Sequence, residues 1–299
     1  MKTLIIGASG KIGKFFDNKN KNQVLTYNKN KIENGIKFDI CKDDISKLII
    51  KNNVNKVVFL GAVSDPDICF SNKRKSENIN VKFTKKIIDK LINKNVYLIF
   101  LSSEFVFSGQ QKKYNENSKI SPINLYGKQK AKIEKYIVKK LDNYAILRIS
   151  KTYGDDLKIN GLITSFINEI ILDRKVFRAA TNQVFNPLFV KDLKKIIFFF
   201  LKNKIKGIYN VGGPKAKSRY EIYKIIIRLL SQKFILNNIK IHKEKIENFK
   251  FIEKRPKNLS FNINKLKKRI DFQLTDVETV INKIIKKINE KKFDRRQKS

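Results

Sequence analysis

The chain has 299 residues, with 66 Lys+Arg against 27 Asp+Glu and a net charge of +39. Its 41% hydrophobic content suits a folded protein with a sizeable core and excludes a disordered chain. The two cysteines, Cys41 and Cys69, exclude a disulfide scaffold and point to a reducing, cytoplasmic setting, while the single histidine, His242, excludes a multi-histidine metal site, and no metal is expected.

Residues 3–6 are strand-like and run into Gly7-Ala8-Ser9-Gly10-Lys11-Ile12-Gly13, a G-x-x-G-x-x-G spacing expected to open a helix. The apolar part of this N-terminus is too short for a signal peptide. Glycines between a strand and a helix allow a tight turn and close backbone approach to a pyrophosphate, whose charge meets free N–H groups. A second strand-like run, 24–27, ends at Tyr27-Asn28-Lys29-Asn30 without the acidic residue that binds a ribose 2′-hydroxyl in NAD-preferring domains. Lys29 is the candidate partner of a 2′-phosphate there, or one more surface lysine. Asp39, with Ile40, follows a third short run and is a candidate contact to the adenine end.

Residues 43–52 have helical spacing, 56–60 form a buried strand, 78–93 a helix, 96–101 a second buried strand, 126–141 a helix and 144–149 another strand. Strands alternating with helices predict a doubly wound parallel α/β sheet. Beyond residue 150 the pattern loosens. Helices are expected over 162–173, 190–201, 220–231 and 276–289, a strand over 207–211, and no assignment is made for 232–262. The domains are therefore read as 1–150, a dinucleotide-binding (Rossmann) domain, and 151–299, a smaller C-terminal substrate-binding lobe of which 190–211 packs back on the first. The run from Lys291 to Lys298 is expected to be a frayed tail.

The longest apolar run, 196–201 (IIFFFL), is flanked by lysines and falls well short of the roughly 18 residues that cross a membrane. Its Phe198-Phe199-Phe200 cluster is read as core or a homodimer interface. Lysines occur in nearly every segment, beside abundant Asn and Ile, and aromatics are not interleaved with them at base-stacking spacing. The charge is read as a bias on a solvated surface, with no specific nucleic-acid partner.

Tyr126 and Lys130 stand four residues apart, on one face of the expected helix. A phenol with a pKa of about 10 is a weak acid at neutral pH, and a nearby ammonium is expected to lower that value. Tyr126 is then a candidate proton donor to a carbonyl receiving hydride. Ser103, just past strand 96–101, lies where open α/β sheets bind ligands, and its hydroxyl is a candidate partner for that carbonyl.

These motifs, in this order, make the chain resemble the extended short-chain dehydrogenase/reductase superfamily, and within it the dTDP-4-dehydrorhamnose reductase family. Leu60-Gly61-Ala62-Val63 stands where that family has N-A-A along its cofactor, and Ser64-Asp65-Pro66-Asp67 and Asn78-Ile79-Asn80-Val81 are similar too. Ser102-Ser103-Glu104-Phe105-Val106-Phe107-Ser108-Gly109 resembles S-T-D-x-V-F-x-G, followed by Tyr114-x-Glu116, Ser121-Pro122 through Tyr126-Gly127-x-x-Lys130, and Glu134. Asn182-Gln183, Pro187, Val190-x-Asp192 and Arg255-Pro256 continue the likeness.

The resemblance implies an NAD(P)H-dependent reductase of a 4-keto-6-deoxy sugar nucleotide. Ser103, Tyr126 and Lys130 would be catalytic, with Lys130 also binding ribose. Gly7, Ser9, Gly10, Lys11, Ile12, Gly13, Lys29, Asp39, Ile40, Gly61, Ala62 and Val63 would meet the cofactor. Ser64, Glu104, Val106, Phe107, Asn182 and Arg255 would meet the substrate. NADPH is the expected cofactor, with NADH as the alternative. Gly61 in place of Asn and Glu104 in place of Asp depart from the pattern. An epimerase of the superfamily, or a non-catalytic NADP-binding regulatory subunit, is the alternative reading. The acid–base Asp-Glu pair that dehydratases carry after the hydroxyl is absent, because Glu104-Phe105 follows Ser103.

Overall fold

The structure, a computed structural model, describes residues 2–16, 19–236 and 238–296. Six parallel strands come from the first half: β1 (Lys2–Ile6), β2 (Gln23–Tyr27), β3 (Ile36–Lys37), β4 (Val54–Phe59), β5 (Tyr97–Ser103) and β6 (Tyr144–Ile149). A seventh strand, Gly207–Val211, adds beside β6, and the sheet order is seventh–β6–β5–β4–β1–β2–β3 with every neighbour parallel. This is the doubly wound α/β fold expected from the alternation of elements, and the strand order reverses between β1 and β4.

The continuous apolar runs follow from burial on both faces. Leu4, Val57, Phe59, Leu98 and Phe100 face one core with helices α1 (Ile45–Lys51) and α5 (Leu125–Lys140), through Ile45, Ile49, Ile133 and Ile137. Ile5, Val58, Ile99, Leu101 and Leu147 face the other, covered by Leu193, Ile196, Ile197, Phe200 and Leu201 of helix Val190–Asn203. The Phe198–Phe200 cluster is thus spent within the chain. Phe200 is fully buried against Tyr209, Phe198 packs on Phe16 and Phe199 on Phe272.

Two short helices, α2 (Pro66–Ser71) and α3 (Lys73–Glu77), come first, and where the sequence pattern suggests one helix over 78–93 the chain forms a π-helical stretch Asn78–Phe83 and then α4 (Thr84–Asp89). Such wide turns are frequent at functional sites. The unassigned stretch 232–262 supplies strand Lys240–Glu244, parallel to Val176–Ala180. With helices Thr164–Ile171, Arg219–Ser231 and Val277–Arg296 these elements enclose a third core. Buried Asp192 accepts the backbone N–H and hydroxyl of Thr275, tying the start of the last helix to helix Val190–Asn203. The backbone of that last helix continues through Arg296, past the start of the expected tail, whose final residues 297–299 lie outside the described residues.

Phe200 is the main plug between the sheet and its covering helix. Phe200→Ala should cost about 3–5 kcal/mol, as large aromatic truncations in cores do. Urea unfolding should show a lower midpoint with an unchanged slope.

Candidate active site

The site starts where β1 and β4 diverge. Gly7 has φ +85, and a Cβ there would lie 2.9 Å from the Gly61 backbone nitrogen after β4. At Gly13 a Cβ would lie 2.3 Å from the Ala8 carbonyl oxygen. Both positions therefore demand glycine, one for backbone conformation and one for close approach. Among the described residues the helix expected to follow is reduced to a single 3-10 turn, Gly13–Phe15. The sequence after Phe16, from Asp17 to Asn22, is wholly polar, with no apolar period to hold a helix on the sheet. The loop's own hydrogen bonds use the N–H groups of Gly7, Ala8, Gly10, Lys14, Phe15 and Phe16. Those of Ser9, Lys11 and Ile12 take no part among the described residues, so an anion here would meet loop amides and not a long helix dipole.

Across the crevice runs the segment from Gly61 to Ser64. Asn80, on the π-helical stretch, clamps Val63: its Oδ1 accepts the Val63 N–H at 2.8 Å and its Nδ2 donates to the Val63 carbonyl at 2.9 Å. The same Nδ2 donates to Gln129 Oε1 of α5 at 2.7 Å, and Gln129 Nε2 donates to Ser76 Oγ at 3.0 Å. A Cβ on Gly61 would meet Ile40 Cδ1 at 2.7 Å, so the family's Asn is replaced by a residue that lets Ile40 close over the strand end. Ala62 is half-buried, Ser64 is exposed, and Lys29 and Asp39 stand together at the edge of one cleft beside β2.

Ser103 ends β5, and its Oγ accepts the Phe105 N–H. Asn124 caps α5 by accepting the Gly127 N–H at 2.9 Å. That cap sets Tyr126 on the first turn, where its hydroxyl is hydrogen-bonded to Ser103 and its ring meets Phe105 edge-on. Lys130, one turn on, is buried and donates to the Leu101 carbonyl at 2.7 Å, with its ammonium 5.9 Å from the Tyr126 ring centre.

The expected lowering of the tyrosine pKa is not what this pocket does. Burial holds the Tyr126 phenol above its ordinary value, against the pull of the Ser103 hydrogen bond. Burial also lowers Lys130, to about 8, although Glu134 opposes this. Desolvation penalises the charged form of each group, so it outweighs their mutual attraction and keeps the phenol protonated.

Beneath them is a buried network. Glu134 of α5 takes three hydrogen bonds from Arg148 of β6, the shortest 2.8 Å, and the hydroxyl of Ser102. Arg148 also donates to the Glu116 carbonyl at 3.1 Å. The signal for it is an arginine inside the apolar strand YAILRI, and sequence reasoning passed over it. Glu104 is buried beside Tyr126, accepting the Ser150 hydroxyl and the Lys151 backbone N–H, and burial pushes its carboxyl up to about 7.

The sequence profile described as "RmlD substrate binding domain" matches residues 1–290. The chain belongs to that family. It is similar to the dTDP-4-dehydrorhamnose reductase of Aggregatibacter actinomycetemcomitans, 22% identical over 302 residues covering 95% of this chain and 98% of that one. It is also similar to methionine adenosyltransferase 2 subunit beta of Xenopus tropicalis, 27% identical over 172 residues that are 56% of this chain and 52% of that protein. The chain thus matches about half the length of that relative. A solved dTDP-4-dehydrorhamnose reductase of Bacillus anthracis, in complex with NADP, superposes with a TM-score of 0.79 at 21% identity, covering 96% of this chain and 100% of that one.

Against this family pattern, four expected substrate contacts fall elsewhere. Val106 and Phe107 are each 0% exposed and pack under the loop with Tyr114, Leu259 and Phe261, so their side chains support the site from below. Asn182 spends both ends of its amide on Ile246 and Glu247 of the lobe. Arg255, its side chain 10% exposed, pairs with Asp67 of α2 at 3.0 Å instead of standing free for a phosphate. Its segment docks on the start of α5, because Glu253 accepts the Leu125 N–H at 2.7 Å.

Glu104 binds its proton more tightly folded than unfolded, where its pKa is about 4.3. Its contribution favours the folded state below that value and is lost as pH rises through about 7. Wild type should therefore lose stability relative to Glu104→Gln between pH 5 and pH 8. Urea midpoints of both proteins at the two pH values test this, and parallel pH profiles would refute it.

Proposed function

We propose that this chain is an NADPH-dependent reductase of a keto group on a nucleotide-linked deoxysugar, as in dTDP-4-dehydrorhamnose reductases. The observation that carries the reading is the convergence of Ser103, Tyr126 and Lys130 at the C-terminal edge of β5, beside the crevice opened by Gly7 and Gly61. Carboxyl ends of strands at the point where strand order reverses are where such sheets bind ligands.

The residues fit a dinucleotide. A Cβ at Gly7 would fill the cradle, and the amides of Ser9, Lys11 and Ile12 are turned to no acceptor of the loop. The loop from Gly7 to Gly13 would hold the pyrophosphate, with Lys11 adding charge. Gly61, Ala62 and Val63 would line the cofactor, in a conformation set by Asn80. When bound, the reduced nicotinamide supplies the hydride.

The rest of the chemistry belongs to the chain. Ser103 hydrogen-bonds the substrate carbonyl and orients it. Tyr126, kept protonated by burial, delivers its proton to the oxygen as negative charge develops there. Lys130 returns positive charge to the phenol side once a phenolate forms, and the Glu134–Arg148 pair fixes the helix that carries both. A second reading, a regulatory nucleotide-binding subunit, takes its support from the partial match to the methionine adenosyltransferase subunit. The complete Ser-Tyr-Lys set favours the enzyme.

Purified protein with NADPH should turn over at least one member of a panel of 4-keto-6-deoxy sugar nucleotides, read as loss of reduced cofactor. Tyr126→Phe should lower kcat by about 10²- to 10⁴-fold, the usual worth of a positioned proton donor. NADPH binding by that variant should persist. Equal turnover by variant and wild type would sink the assignment. Interconversion of sugar epimers without net NADPH loss would mark an epimerase, and cofactor binding without any turnover would mark a regulatory subunit.

A further inference from the structure

One segment of the lobe takes no part in this mechanism. Residues 249–255 have no regular secondary structure and form a strap. Its start is fixed where Glu247 accepts the Asn182 amide at 2.8 Å, and its end where the Lys257 carbonyl accepts the Val184 N–H at 2.9 Å. Between these anchors it leaves the lobe and bonds the first turns of two helices. Asp67, in the first turn of α2, accepts the Glu253 N–H at 2.9 Å through Oδ1 and pairs with Arg255 at 3.0 Å through Oδ2. Arg255 also donates to the Glu253 carbonyl at 3.1 Å, which closes the strap on itself. At α5 the Asn124 amide donates to the Lys254 carbonyl at 3.3 Å, and Glu253 Oε2 accepts the Leu125 N–H at 2.7 Å.

The first N–H groups of a helix have no partner within it, and the residue just before the helix ordinarily supplies one. Asn124 does so for Gly127. The Leu125 N–H is taken instead by a carboxylate 128 residues further along the chain. An anionic acceptor is favoured at a helix N-terminus, and its hydrogen bond is stronger than a neutral one. The same turn of α5 is also pressed against backbone, because a Cβ on Gly127 would lie 2.1 Å from the Phe105 carbonyl oxygen. The turn that presents Tyr126 to Ser103 is therefore held by the Glu104–Val106 turn on its own side of the crevice and by a strap that comes from the lobe.

We propose that Glu253 is a positioning residue for Tyr126, and that Asp67 and Arg255 hold Glu253 in place for that task. The part of the chain that would carry the sugar nucleotide thereby also aligns the proton donor. Arg255 acts in this arrangement through the strap and not as a partner of a substrate phosphate. The inference rests on the reductase reading above, which gives Tyr126 a proton to deliver. The size of the effect follows from geometry, since a displacement of about 1 Å at a reacting group can cost about 10²-fold in rate.

Glu253→Ala, which takes away the acceptor of the Leu125 N–H, should lower kcat by about 10- to 100-fold with little change in KM for the sugar nucleotide or in NADPH affinity. Glu253→Gln keeps an acceptor oxygen and should recover most of the rate. Arg255→Ala should resemble Glu253→Ala. In a Tyr126→Phe background Glu253→Ala should cost little more, because the group it positions is gone. Amide hydrogen exchange reads the same contact without turnover: Glu253→Ala should speed exchange in the first turn of α5 and leave the rest of that helix unchanged. A raised KM with kcat intact in Arg255→Ala would make Arg255 a substrate contact and overturn the proposal. Additive losses from Glu253→Ala and Tyr126→Phe, unaltered exchange, or a parallel loss of NADPH affinity would overturn it as well. Faster exchange confined to the first turn, with no keto sugar turned over by the wild-type protein, would uphold the hold of the strap on α5 and count only against the proposed reaction.

Discussion

Helix α5 buries a polar face, and the cost of leaving buried polar groups unpaired organises everything around it. Tyr126, Gln129, Lys130 and Glu134 are all buried on that face. Each reaches a different neighbour. Tyr126 meets Ser103 at the end of β5, and Gln129 meets Asn80. Lys130 takes the Leu101 carbonyl, and Glu134 takes Arg148 and Ser102. The helix is thereby registered against two strands and, through Asn80, against the backbone of Val63 across the crevice. One set of hydrogen bonds positions both the proposed proton donor and the segment that would lie along the cofactor.

The same burial sets the charges. Three ionisable groups crowd the end of β5, and desolvation moves each toward its neutral form. It raises the Tyr126 phenol, raises Glu104 to about 7 and lowers Lys130 to about 8. Simple reasoning from a Tyr-x-x-x-Lys spacing expects the ammonium to dominate. The pair is too deeply buried, and the ammonium too firmly occupied by the Leu101 carbonyl, for that attraction to prevail. A phenol that remains protonated suits proton donation to a carbonyl being reduced. The surface tells the opposite story, because the high net positive charge is spread over solvated side chains along the chain.

Much of this was legible in the residues. The parallel sheet followed from short apolar runs alternating with helical spacing, and Gly7 and Gly13 announced themselves because their positions tolerate no side chain. Ser103, Tyr126 and Lys130 were likewise readable, since a strand end and an i, i+4 pair are local patterns. The helix after the glycine loop was misread because the loop motif usually opens one; the Asn- and Lys-rich residues that follow carry no apolar face to hold it. The family likeness puts Val106 and Phe107 at the substrate, yet their side chains pack with Tyr114 and with Phe261, a residue from the far end of the chain.

What the sequence by itself determined is therefore what local periodicity and backbone sterics control: the order of strands and helices, the glycine turn, and which side chains end a strand or share a helix face. Only the tertiary structure decided which of those side chains meet. It paired Arg148 with Glu134, clamped Val63 with Asn80 and engaged Arg255 with Asp67. The physical reason is that burial and hydrogen-bond partnership depend on distances through space between residues far apart in the chain. A pKa follows those distances, so the protonation of Tyr126 and Lys130 could be read only once the pocket around them was closed.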